Sequence, residues 1–167
     1  NAGSAVFSKF EDRTADELLT VTKTNMFAPI LMTQGFIKLA PKDYSASIVN
    51  LGSIYGVVAP DQSLYEDTPR NSSEIYGMTK AATINLTKYL SVYLSNYKIR
   101  CNCVSPGGVL FKQGPKFIKS YSNKVPLNRM ANVNEIVSAI IFLIDNSKSS
   151  YINGLNMLVD GGFTSWR

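Results

Sequence analysis

Residues 73–96 read SEIYGMTKAATINLTKYLSVYLSN, a helix that Ser72 or Ser73 is placed to cap. Residues 98–104, KIRCNCV, follow as a strand, and Ser105-Pro106-Gly107-Gly108 make a loop at its carboxyl end. Tyr76 and Lys80 are four apart, so a helix stacks them on one face, one turn apart. An ammonium beside a phenol favours the phenolate and lowers its pKa from about 10. The pair is therefore expected to exchange a proton with a substrate oxygen near neutral pH. The alternative is a surface Tyr and Lys on an ordinary amphipathic helix, and the rest of the chain has to decide.

Upstream, residues 45–51, SASIVNL, form a short apolar run of the kind found in buried parallel strands. The run ends in Gly52-Ser53, which puts Ser53 at the carboxyl end of a strand, the edge where open α/β sheets bind ligands. A long polar connection, residues 54–72, separates Ser53 from the helix. Its Tyr55, Tyr65 and Asp67 are candidates to contact a hydroxylated substrate, or the loop is a surface insertion. Residues 16–40 read as one long helix, with Thr14 and Glu17 spaced for a capping box. Leu18, Val21, Met26, Ile30, Thr33, Phe36 and Ile37 suggest its buried side, and Pro29 argues for a break. Asn25, inside that helix, is either solvated or holds a water where the backbone ladder loosens. Downstream, residues 132–146 form a helix with Asn132 and Glu135 at its start. Residues 155–159 make a last strand, and Asp160-Gly161-Gly162 turn after it. Helix, strand, helix, strand, helix, strand implies an α/β fold with a parallel sheet, right-handed crossovers and helices on both faces.

Composition narrows the function classes. The chain has 167 residues, 45% of them hydrophobic, which suits a single domain, 1–167, with its own core. No apolar run reaches membrane-spanning length and no signal-peptide pattern opens the chain, so neither a membrane partner nor export is expected. The net charge is +5, but Lys and Arg are scattered rather than gathered into a stripe, which argues against a nucleic-acid partner. Lys112, Lys116 and Lys119 suit an anionic small molecule or an ordinary solvated surface. Cys101 and Cys103 read as buried free thiols of a reducing cytoplasm. With no histidine, two thiols make a poor metal site, and Ser-His-Asp or Cys-His catalysis is excluded.

Taken in order, these motifs resemble the short-chain dehydrogenase/reductase family, missing its amino-terminal part. The matching residues are Asn1-Ala2-Gly3, Asn25, residues 48–53 (IVNLGS), Tyr76-x-x-x-Lys80 with Ala81-Ala82, residues 102–108 (NCVSPGG), Pro126-Leu127-x-Arg129 and Asp160-Gly161-Gly162. The resemblance implies a Rossmann-like, doubly wound parallel sheet, incomplete because the amino-terminal strands and the glycine-rich phosphate loop are missing. It implies an NAD- or NADP-dependent oxidoreductase interconverting a secondary alcohol and a ketone. Asn25, Ser53, Tyr76 and Lys80 would form the catalytic set. Tyr76 would be the acid/base, Lys80 would lower its pKa and bind the nicotinamide ribose, and Ser53 would donate to the substrate oxygen. Asn25 would hold a water linking Lys80 to solvent. Asn1, Ala2 and Gly3 would lie on the adenine side; Pro106, Gly107 and Val109 would line the nicotinamide.

The family pattern is not followed everywhere. No Gly-x-x-x-Gly-x-Gly is present, so a piece of a longer gene product with weak or no activity of its own is expected. Phe111 stands where a threonine often contacts the cofactor carboxamide, and the long 54–72 connection reads as a substrate-side lid. Residues 54–60 and Gly107-Gly108-Val109 also resemble members associated with bacterial surface-polysaccharide or flagellar-glycan synthesis, which implies a sugar or sugar phosphate substrate. Assembly as a homodimer or homotetramer through the two long helices and the last strand is implied as well. The alternative is a non-catalytic binding or scaffold subunit, or an inactive fragment.

Overall fold

The computed structural model describes residues 3–41, 45–65 and 70–166; the expectations for Asn1, Ala2 and Asp67 lie outside them. Among the described residues three parallel strands make the sheet, β1 (Ala46–Leu51), β2 (Ile99–Pro106) and β3 (Asn156–Val159), in that spatial order. The register pairs Ala46 with Ile99 and Leu51 with Val104, then Cys103 with Asn156 and Pro106 with Val159. Because the strands run the same way, Gly52-Ser53, Gly107-Gly108 and Asp160-Gly161 all leave the sheet at one edge.

The helices are α1 (Ala15–Thr22), α2 (Ala28–Leu39), α3 (Glu74–Tyr93), α4 (Pro115–Ser122), α5 (Val133–Ile144) and the single turn α6 (Asn146–Ser149). Side chains alternate across β1. Ile48 packs with Leu86, Leu90 and Leu94 of the α3 side. Val49 and Leu51 pack with Ile136 and Leu143 of α5. Helices therefore cover both faces of the sheet, as the alternation of elements predicts. Among the described residues no helix is long and apolar enough to cross a membrane.

Thr14 caps α1 as its spacing predicts: Glu17 N donates to Thr14 Oγ1 at 3.2 Å and Thr14 N to Glu17 Oε2 at 2.9 Å. The single long helix predicted beyond it runs on to Leu39 but changes its winding part-way. Lys23–Phe27 is a π-helical segment, with Ala28 N reaching back to Lys23 O. Pro29 accounts for the wider turn, since it has no N–H for the Asn25 carbonyl four residues earlier. The extra residue of the wide turn rotates the face that follows. Val21, Asn25 and Thr33 are buried, while Ile30 and Phe36, expected inside, are exposed. Ser73 occupies the N-cap position of α3, but its side chain caps nothing: Oγ is buried without a hydrogen-bond partner. Sequence spacing identifies the position; it cannot orient the hydroxyl.

Beyond the strand ends, Ile54, Leu64, Tyr121, Val125, Met130 and Phe163 form a separate apolar cluster. Phe163 is fully buried, its ring stacked on Tyr121 at 5.3 Å between centroids. The turn before it needs glycine twice, with φ +64° at Gly161 and +88° at Gly162. Asp160 closes the turn by accepting from Gly162 N and Thr164 N, both at 2.9 Å. Phe163→Ala is expected to cost about 3–5 kcal/mol, read from urea denaturation. A loss below about 1 kcal/mol would mean that this cluster does not hold the strand-end loops.

Candidate active site

Ser53 follows β1 in extended backbone and starts a single 3-10 turn, Ile54–Gly56. Its Oγ accepts from Tyr55 N at 3.2 Å, and its side chain lies near enough to the Tyr76 phenol to favour the ionised form. A strand-tip hydroxyl and a helix phenol, 23 positions apart in sequence, are therefore neighbours. Lys80 lies one turn along α3, its Nζ 5.6 Å from the centroid of the Tyr76 ring. The ammonium donates to Leu51 O at 2.8 Å, at the end of the same strand.

The expected direction of the Tyr76 pKa is overturned. Burial holds the phenol above its ordinary value; the neighbouring Ser53 hydroxyl pulls it down less, and the nearby Tyr65 adds to the rise. Lys80 is not among the causes. Its charge sits over the ring face and is turned to the Leu51 carbonyl, and it is itself weakened by burial, against a smaller opposing effect of Cys103. Desolvation outweighs a neighbouring charge that does not point at the ionising atom.

Asn25 is buried, not solvated. Its Oδ1 accepts from Ser4 N at 2.8 Å, and its Nδ2 donates to Ser4 O at 2.9 Å and Thr79 Oγ1 at 3.0 Å. Thr79 Oγ1 in turn donates to Tyr76 O at 2.9 Å. The amide thus fastens the segment after the exposed Gly3 to the first turn of α3, and both of its N–H donors are engaged. Asn25 and Lys80 also border a cavity of about 540 Å³ between α2 and the outer edge of β1, walled by Pro29, Thr33, Val49 and Leu51.

At the neighbouring strand end, Gly107 N donates to Val159 O at 3.0 Å and so continues the β2–β3 ladder past Pro106. The two glycines were expected to open the backbone to a ligand; on the side where a Cβ would stand they meet protein. A Cβ on Gly107 would lie 3.0 Å from Asp160 Cα, and one on Gly108 2.6 Å from the Tyr121 ring, whose hydroxyl accepts from Gly108 N at 2.5 Å. Val109 bridges Ala131 in parallel, with Ala131 N donating to Gly108 O and Leu110 N to Ala131 O. That pattern turns the N–H of Val109 to the other side, where it meets no acceptor among the described residues.

Residues 1–164 match the family model described as Enoyl-(Acyl carrier protein) reductase. The chain belongs to the short-chain dehydrogenase/reductase family. It is 33% identical over 165 residues to the NADH-dependent L-xylulose reductase of Ambrosiozyma monospora, covering 93% of this chain and 58% of that protein. It is 34% identical over 134 residues to post-translational flagellin modification protein A of Campylobacter coli, covering 80% of this chain and 52% of that one. Among solved structures, a short-chain dehydrogenase from Leptospira borgpetersenii with bound NAD+ shares 42% identity at a TM-score of 0.87, over 98% of this chain and 62% of that chain. The chain thus spans little more than half the length of the curated relatives it matches.

Membership in the short-chain dehydrogenase/reductase family was legible in the motifs; several supporting residues were not. Thr79 anchors Asn25, Tyr121 holds Gly108, and Arg13 forms a bidentate pair with Glu74 at the start of α3. The spacing of Tyr76-x-x-Thr79-Lys80 places Thr79 beside the pair, the one available signal. The 54–72 connection is fastened, not loose, over its described part. Lys124 donates to Asp61 at 2.5 Å and Ser63 at 3.1 Å, Gln62 bonds Ser72 in both directions, and the hydroxyls of Tyr55 and Tyr65 lie 3.3 Å apart. Lys124 and Ser63 hold the Asp61 carboxyl well below the usual range. Asp61→Asn is therefore expected to speed amide hydrogen exchange in residues 57–64, and unchanged exchange would remove this clip as the loop's fastening.

Proposed function

We propose that this chain carries the proton-transfer half of an NAD- or NADP-dependent oxidoreductase that interconverts a secondary alcohol and a ketone. One observation carries the reading: the Ser53 hydroxyl and the Tyr76 phenol are neighbours at the sheet edge, with Lys80 one turn away. Two neighbouring hydroxyls are placed to hold one substrate oxygen between them. Tyr76 gives or takes the proton on that oxygen, and Ser53 donates to it where negative charge develops.

The residues present fit a nicotinamide dinucleotide. An ammonium has three donors and Lys80 gives one to Leu51 O, which leaves two for vicinal ribose hydroxyls. The outward N–H of Val109 suits a carboxamide oxygen, beside Pro106 and Gly107. When bound, the cofactor supplies the hydride, and a cationic nicotinamide adds positive charge near the phenol. The Asn25 side chain is used in positioning, and in this reading Asn25 holds a water that links Lys80 to solvent. Gly3, with Asn1 and Ala2, belongs to the adenine side in this reading.

A sugar-class substrate fits the named relatives, among them the L-xylulose reductase and a D-arabinitol 2-dehydrogenase of Candida tropicalis. Assembly into dimers or tetramers draws support from exposed apolar side chains on the expected surfaces: Leu31 and Met32 on α2, Val92 and Tyr93 on α3, Leu158 on β3. The reading treats 1–167 as one domain in the cytoplasm, a setting that suits two buried free thiols. The test is spectroscopic: full-length protein is mixed with NADH or NADPH and a panel of pentuloses and other ketoses. Oxidation of one cofactor by the wild type and not by Tyr76→Phe is the expected result. Cofactor binding without turnover of any carbonyl would favour a non-catalytic binding subunit.

A further inference from the structure

We propose that Gly56 and Gly77 are positioning residues: their lack of side chains seats the turn after Ser53 directly on the backbone of α3, and this seat maintains the Ser53–Tyr76 pair. The inference rests on the function proposed above and adds two residues to it.

The contact is two-sided. A Cβ on Gly56 would fall 2.7 Å from Lys80 C, 2.8 Å from Ala81 N and 2.9 Å from Lys80 O. All three are backbone atoms inside a helix, which cannot swing aside as a side chain can. A Cβ on Gly77 would fall 2.9 Å from Tyr55 O. Gly77 and Ala81 are one helical turn apart on the same face. The loop peptide of Tyr55-Gly56 therefore lies flush along α3 beside Tyr76 and Lys80.

Space, not backbone conformation, is what these glycines supply. The positive-φ glycines are Gly154, Gly161 and Gly162, and neither Gly56 nor Gly77 is among them. Glycine is also the poorest helix former after proline, so Gly77 weakens α3 on its own account. A position that forgoes helix stability for close backbone approach is explained by what approaches it. The turn is held from its other side too. Gly56 N donates to Ser53 O at 2.9 Å, and the Ile54 side chain is buried in the strand-end cluster. Pushed off α3, the turn cannot retreat as a unit, and the displacement falls on Ser53.

Alanine variants of the full-length protein test this, with Gly35→Ala as the control, since nothing lies within 4 Å of a Cβ on Gly35. Gly77→Ala is expected to lose about 100-fold in kcat at temperatures where it stays fully folded, the better helix former offsetting part of the strain against Tyr55 O. Its cofactor Kd should stay within about threefold of wild type, since the Lys80 donors are untouched. Gly56→Ala should behave alike in kcat, and crystals of either variant should show Ser53 Oγ and Tyr76 Oη farther apart than in wild-type crystals. Wild-type kcat with the wild-type Ser53–Tyr76 distance in Gly77→Ala overturns the proposal, and so does a kcat loss that only follows a fall in Tm. If Gly56→Ala does not fold, Gly77→Ala decides. If the wild type itself turns over no carbonyl, the functional reading fails, while the Ser53–Tyr76 distance in the variant crystals still decides the seat.

Discussion

Tyr76→Phe is expected to lower turnover about 10³-fold while the cofactor Kd stays within about threefold, because only the ionisable oxygen is removed. The ring, its burial and its place over Lys80 remain. The direction of the phenol's pKa sets the pH profile. Burial raises it, so the phenol is protonated through the neutral range. Ketone reduction needs the protonated form and should hold steady with pH, falling only as the phenol ionises. Alcohol oxidation needs the phenolate and should climb with pH toward that same value. Tyr76→Phe should flatten both profiles. A variant with wild-type turnover would remove Tyr76 from proton transfer, and a profile unchanged by the substitution would assign the titration to another group.

Lys80→Ala should impair two things together. Turnover is expected to fall about 100-fold, and the cofactor Kd to rise about tenfold or more, since charge-assisted bonds to two ribose hydroxyls are lost. Leu51 O also loses its donor at the strand end. Titration calorimetry with NADH and NADPH separates the effects: full affinity with reduced turnover would leave Lys80 near the phenol but remove it from the ribose. Arginine should not restore binding, because its planar fork does not reproduce a compact ammonium in a buried site.

The fold was legible where its causes are local. Capping at Thr14, the apolar run of β1, the glycine pair after Asp160 and the four-residue spacing of Tyr76 and Lys80 each depend on a few adjacent residues. Such features survive any reasonable tertiary arrangement, and they place Ser53, Tyr76 and Gly107 at one sheet edge before any distance is known. What was not legible has a different cause. Ile30 and Phe36 were expected inside on the helical period that also places Thr33, and both are exposed while Thr33 is buried. Gly107 and Gly108 meet Asp160 and Tyr121 on the side where a Cβ would stand, contacts with residues from later in the chain.

The sequence by itself determined that strands alternate with helices, that a serine ends one strand, and that a phenol and an ammonium share one face of the next helix. Periodicity, caps and turn residues act over three or four positions, so those conclusions need no partner. Only the tertiary structure decided that the serine neighbours the phenol, that Asn25 grips Ser4 and Thr79, and that burial pushes the Tyr76 phenol up. Desolvation and close backbone contact are sums over atoms brought in from distant elements, and no local pattern contains those sums.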